Sequence, residues 1–87
     1  MLTSLLCPLC GRTHDADQTE GQFYTFACEA YGEIQLSRRS LVEFERHPDR
    51  LEGPKHLALQ CKEQRQIFSA SFHVPEGLRL ECVASRA

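Results

Sequence analysis

The chain has 87 residues, 41% of them hydrophobic and 25% charged, and a net charge of −2. That length predicts a single domain over residues 1–87, and chains of this size bury only about 60–65% of their unfolded surface, so many use a metal, a disulfide or a partner as a staple. Ordinary composition excludes a disordered or fibrous class, and net acidity gives no general reason to expect nucleic-acid binding.

The charge is uneven. Residues 1–36 carry one Arg against five acids, net −4, whereas residues 37–66 carry seven bases against five acids, net +2. The opening "MLTSLLCPLC" has no positive n-region and no apolar run of signal-peptide length, and nothing approaches a membrane span of roughly 20 apolar residues. The expectation is a cytoplasmic chain with no membrane association, in a compartment where thiols stay free. Five cysteines, an odd number, also argue against a complete disulfide framework.

Residues 5–11 form a first cysteine-bearing turn, and the polar run "RTHDADQTE" at 12–20 predicts a loop. "QFYTFAC" at 22–28 is aromatic-rich and alternating, which predicts a strand. A second turn at 29–32 leads to a short return strand, "EIQL", with Ile34 and Leu36 on one face. Ser37 is placed as the N-cap of a helix over "RRSLVEFERH", where Leu41 and Phe44 share a face with Val42 beside it and Pro48 ends the run.

"DRLEGP" is a connector, and Pro54 suits the first turn of a second helix over 55–65 whose Leu57, Ala58 and Cys61 share a face. In the last third, Phe68, Ala70, Phe72 and Val74 alternate with polar residues. After "PEG", Leu78, Leu80, Cys82 and Ala84 do the same. Period two on both sides of a Gly-containing loop predicts a β-hairpin over 67–84 with one buried face.

The expected fold is α+β. A zinc-ribbon-like N-terminal β-hairpin (5–36) leads into a two-helix segment (37–66) and the C-terminal β-hairpin, in a small antiparallel sheet.

Chemistry concentrates in the cysteines. Zinc takes four ligands in a tetrahedron, commonly thiolates and imidazoles, and a Cys-x-x-Cys turn supplies two of them. Cys7 and Cys10 have that spacing, and Cys28 follows at the interval expected for a second turn. Tyr31 stands where its matching cysteine would be, and glycine follows each turn, at Gly11 and Gly32.

The segments "CPLCG", "FYTFACEAYGEIQLS" and "LALQCKEQ" resemble a zinc-ribbon-like N-terminal domain found in small uncharacterised bacterial and phage proteins. Such chains show a Cys-Pro-x-Cys-Gly turn, an aromatic strand, a Cys-x-x-Cys-Gly turn, a short strand ending in an apolar residue and Ser, and a helix. The resemblance covers roughly residues 5–65. It implies a ribbon fold and a zinc ion but no activity, and Tyr31 is the departure from it.

Tyr31 is a poor substitute ligand, since a phenol titrates near pH ~10 and lies outside the usual Cys, His, Asp and Glu set. His14, four residues past Cys10, would complete a Cys₃His set with Cys7, Cys10 and Cys28. Other ways to close the site are Cys61, another His, or water, the last giving an open position of catalytic type. The alternative to a metal is a relic turn in which Tyr31 packs where a thiolate stood. Cys61 and Cys82 read as core thiols on the buried faces of their elements, and His47, His56 and His73 as surface.

No nucleophile–base pair, phosphate-binding glycine loop or carboxylate pair stands out, so no enzymatic activity is expected. The expected function is a non-catalytic protein-binding module. By analogy with small acidic proteins of phages and mobile elements, it would be an inhibitor of a larger host defence complex. Arg38, Arg39 and Arg46 are the candidate contacts to an acidic partner. The alternative is a zinc ribbon that binds nucleic acid through the basic 38–65 segment. A free edge of the 67–84 hairpin would allow a homodimer.

Overall fold

The computed structural model describes residues 2–19 and 23–84. Glu20 and Gln22, the last residue of the predicted loop and the first of the predicted aromatic strand, lie outside the described residues. Six strands, β1 (Leu2–Leu6), β2 (Thr13–Thr19), β3 (Phe23–Cys28), β4 (Gly32–Ser37), β5 (Gln66–His73) and β6 (Gly77–Ala84), form one sheet in chain order. Two helices, α1 (Arg38–Arg46) and α2 (Glu52–Glu63), with a 3₁₀ turn at Pro48–Arg50 between them, connect β4 to β5.

The α+β class stands, but the sheet is larger than expected and mixed. Every neighbouring pair is antiparallel except β4 and β5, which are parallel. A parallel pair needs a crossover of a dozen or more residues, and the two-helix segment supplies it. The predicted loop at 12–20 is corrected: Thr13–Thr19 is a strand pairing with β1 and β3. Its face toward the core offers His14, Ala16 and the exposed Gln18, so it carries no apolar alternation to read, although Ala16 is fully buried.

The register lines up one covered face across the sheet. Phe26 and Tyr24 of β3 pair with Ile34 and Leu36 of β4, which pair in turn with Phe68 and Ala70 of β5. Phe68 and Ala70 then meet Cys82 and Leu80 of β6. Ile34, Leu36, Phe68 and Ala70 are almost completely shielded from water. The helices lie against β4, β5 and β6 on this side, contributing Phe44, Ala58 and Cys61 to the core. The opposite face carries Asp15, Asp17, Glu33 and Arg79 exposed, with the paired Ile67 and Val83 half-buried on it.

Local chemistry sets the helix ends. The Ser37 hydroxyl accepts the backbone N–H of Ser40 at 3.1 Å and so caps α1, as the sequence predicts. Ser40 itself is fully buried, with its hydroxyl 2.7 Å from that of Ser37. Pro54 sits in the first turn of α2, where its missing N–H costs nothing.

Two expectations about the last third change. Val74 does not extend the buried face; it lies in the turn between β5 and β6 and is 85% exposed. Phe72 and Leu80 are half-buried and Leu78 is exposed, so the face carries its apolar weight at Phe68 and Ala70. Cys61 and Cys82 are not free core thiols. They form a disulfide between α2 and β6, with Cα atoms 5.5 Å apart, inside the usual range for a bridge. Opposed positions on two packed elements made that pair, and spacing along the chain does not reveal it. Among the described residues no helix is long and apolar enough to cross a membrane.

Candidate metal centre

The helices lie over β4–β6, and the first cysteine turn lies over the β2–β3 part of the covered face. Its Cys7 and Leu9 join Ala16, Phe26 and Cys28 in the core. The turn is tightly closed: Cys7 N–H donates to the Arg12 carbonyl at 2.8 Å, and Gly11 N–H to the Cys7 carbonyl at 2.9 Å. Gly11 has φ of 77°, a left-handed conformation that a side chain would disfavour. Backbone N–H groups of Cys10 and Leu9 face the Cys7 sulfur, and that of Arg12 faces Cys10. Such N–H donors stabilise sulfur in its anionic form.

Cys28 ends β3, and the turn Glu29-Ala30-Tyr31 returns the chain at Gly32, which pairs with Cys28. Gly32 also has a left-handed backbone, with φ of 78°. On β2, His14 faces the same side and stacks on Phe26 with ring centroids 5.4 Å apart and planes 15° from parallel. That stacking fixes the imidazole plane, and Nε2 lies 3.4 Å from Cys10 Sγ.

Cys7, Cys10, His14 and Cys28 therefore converge, with their donor atoms all within 4.8 Å of one another, and this group could hold a metal ion. Bond lengths of about 2.3 Å to sulfur and 2.0–2.1 Å to nitrogen in a tetrahedron give S···S near ~3.8 Å and S···N near ~3.5 Å. The Cys10–His14 separation already has the second value, and a small contraction of the group would supply the first.

Burial and charge differ among the thiols. Burial pushes the Cys7 thiol up from 9.0 to about 12; the N–H groups of Cys10 and Leu9 only partly oppose it. Burial also raises Cys10, but the His14 side chain and the Arg12 backbone, with help from Cys28 and Cys7, outweigh it and bring Cys10 down to about 7. A buried thiol that resists ionising alone becomes a thiolate when a divalent cation neutralises it, so the cluster is chemically matched to a cation.

Tyr31 is not one of the converging donors. It is half-buried against the core and lines an open depression of about 760 Å³ together with Cys10, Arg12, His14, Cys28 and Glu29. Cys61 is excluded as a ligand by its disulfide. His47, His56 and His73 lie exposed outside the group: His47 caps α1 by donating its backbone N–H to the Glu43 carbonyl, with its Nε2 3.8 Å from the Glu43 carboxylate, and His73 Nε2 sits 3.1 Å from the Ser71 hydroxyl.

Arg38, Arg39 and Arg46 are exposed on α1, on the helix-covered half of the molecule. Arg39 has partners of its own, its guanidinium 4.9 Å above the Phe72 ring and 3.7 Å from Glu43. Two participants at the centre escape sequence reading. Phe26 is visible as a strand residue but not as the platform for His14, and Lys62 reaches the second turn from α2, 34 residues after Cys28. No protein-family model, curated protein or solved structure matches the chain.

Proposed function

We propose that Cys7, Cys10, His14 and Cys28 bind one zinc ion as a structural site of zinc-ribbon type, in which His14 stands in for the fourth cysteine. The observation that carries this reading is the convergence of three sulfurs and one imidazole nitrogen within 4.8 Å. Sulfur-rich donor sets favour zinc among the common hard and soft divalent ions, and four protein donors leave no position for a substrate or an activated water. The site is then a staple, and the chain is a non-catalytic module that works by binding another protein.

The surface that supports a protein partner is the outer side of α1. Arg38, Val42 and Arg46 are spaced by four residues, share one stripe, and are all exposed. An apolar residue between two guanidinium groups suits an acidic partner with some apolar surface. Nucleic acid is the weaker reading, because Lys62 and Arg39 of the basic segment already have partners within the fold. A cytoplasmic setting fits the three free cysteines, and the Cys61–Cys82 bond is the feature that weighs against it, since cytosolic thiols are kept reduced.

The test is metal analysis of protein purified without added metal or chelator. One zinc per chain, lost in His14→Ala or exchanged for cobalt with thiolate-to-cobalt charge-transfer bands, is the expected result. A folded chain with no metal, and none taken up on titration, would leave Tyr31 packing beside a relic turn.

A further inference from the structure

Lys62 lies in the last turn of α2, where a lysine commonly interacts with its own helix's final carbonyls. It does something else here. Its Nζ donates to the carbonyl oxygens of Glu29 at 2.9 Å and Ala30 at 3.4 Å, the two residues directly after Cys28. Its stem covers Gly32 at the far side of the same turn so closely that a Cβ there would lie 3.1 Å from Lys62 Cγ and 3.2 Å from Lys62 Cβ. The residue before it, Cys61, is fully buried and bonded to Cys82, which holds the end of α2 against the sheet.

We propose that Lys62 is a positioning residue for the metal centre: it fixes the turn that presents Cys28 and supplies a compensating positive charge, and the Cys61–Cys82 disulfide holds it in place. The inference rests on the metal-binding reading. In the first cysteine turn, hydrogen bonds within the turn do the fixing, from Cys7 N–H to Arg12 and from Gly11 N–H to Cys7. In the second turn, Lys62 grips two successive carbonyls from outside. Planar trans peptides carry C=O and the following N–H in opposite directions, so gripping these carbonyls also sets the directions of the Ala30 and Tyr31 N–H groups. Three thiolates and a neutral imidazole around a divalent ion sum to −1, and an ammonium on the adjoining turn offsets that charge. Partners hydrogen-bonded directly to a ligand typically contribute about 10–100-fold in metal affinity, and Lys62, one residue removed from Cys28, belongs at the low end of that range.

The experiment is competition between the full chain and a chromophoric chelator for zinc, with cobalt absorption recorded alongside. Lys62→Met keeps the stem on Gly32 and removes the donor and the charge. It should weaken zinc binding about 10-fold, keep the tetrahedral thiolate–cobalt bands, and barely move the melting temperature of the metal-free chain. Lys62→Arg, with charge and donors restored, should recover most of the affinity.

If the wild-type chain takes up no metal, the metal reading falls and the Lys62 role with it. If the wild type binds and Lys62→Met binds equally well, or Lys62→Arg fails to recover what Lys62→Met loses, only the Lys62 role is overturned. Should Lys62→Met fail to fold, the Cys61→Ala/Cys82→Ala pair carries the test. Freeing the end of α2 should lower zinc affinity in the same direction by a smaller factor, and wild-type affinity in that pair would overturn the proposal.

Discussion

The two halves of the covered face are built differently. Over β4–β6 lie two helices, and the core there is made of Phe44, Ala58, Ile34, Leu36, Phe68 and Ala70. Over β2 and β3 lies a single turn, and the buried residues include Cys7, Leu9, Ala16 and Cys28, with Phe26 as the one large ring among them. Leu9 and Phe26 are the two large apolar side chains there; Cys7, Ala16 and Cys28 are small and remove little apolar surface from water, on the order of a CH₂ or two each at ~0.8 kcal/mol. Burial can hold the first region. The second region needs a staple, and its cysteines and His14 are the residues that could provide one. Each half also carries its own cysteine chemistry, a bonded pair in one and three free thiols in the other.

The contrast predicts that the halves fail separately. Stripping the proposed zinc, or substituting Cys7→Ser, should have the largest effect, more than ~4 kcal/mol in the range typical of lost structural metals. Hydrogen exchange should then lose protection in β2 and β3 first and keep it in β5 and β6. Simultaneous loss in all strands would show one cooperative unit and break the comparison.

The counterpart in the helical half is Phe68→Ala, which empties the largest fully buried side chain and should cost about 3–5 kcal/mol by denaturant unfolding. Phe72 is the less damaging site on that strand, since it is half-buried beneath Arg39. Replacing both bridge cysteines, Cys61→Ala/Cys82→Ala, opens a loop spanning 21 residues of sequence separation. Loop-closure entropy puts that at about 3 kcal/mol. A loss well under ~1 kcal/mol would mean that packing alone holds α2 on β6.

Much of this was legible in the sequence, for physical reasons that differ by element. β5 and β6 announce themselves by period-two alternation, α1 by its Ser37 cap and its Leu41–Phe44 face, and the first turn by Cys7-x-x-Cys10-Gly11. His14 as a fourth donor could be named because it is only four residues from Cys10. β2 could not be read as a strand, because its buried stripe is His14 and Ala16 and its other side chains are polar. The parallel β4–β5 pair, the Cys61–Cys82 bond and the reach of Lys62 all join residues distant in the chain. Their partners are set by how α1 and α2 cross the sheet, which local periodicity does not encode.

The smallest effect is expected at Ser37, where the metal-side strands hand over to the helices. Ser37 ends β4 and caps α1, its hydroxyl accepting the Ser40 N–H and lying 2.7 Å from the Ser40 hydroxyl. Ser37→Ala removes the cap and leaves a fully buried Ser40 hydroxyl without that partner. Loss of an N-cap costs about 1 kcal/mol and an unsatisfied buried hydroxyl adds about as much, for a total of about 2 kcal/mol. The first turn of α1 has no acidic residue and begins with Arg38 and Arg39, both unfavourable to the helix dipole. Ser37→Asp should therefore retain the cap, add charge of the favoured sign, and lose less stability than Ser37→Ala. Zinc affinity should be the same in both variants, because it is α2, through Lys62, and not α1 that grips a ligand-bearing turn. An affinity that moved with the Ser37 cap would show that α1, and not only Lys62 of α2, couples the helical half to the metal centre.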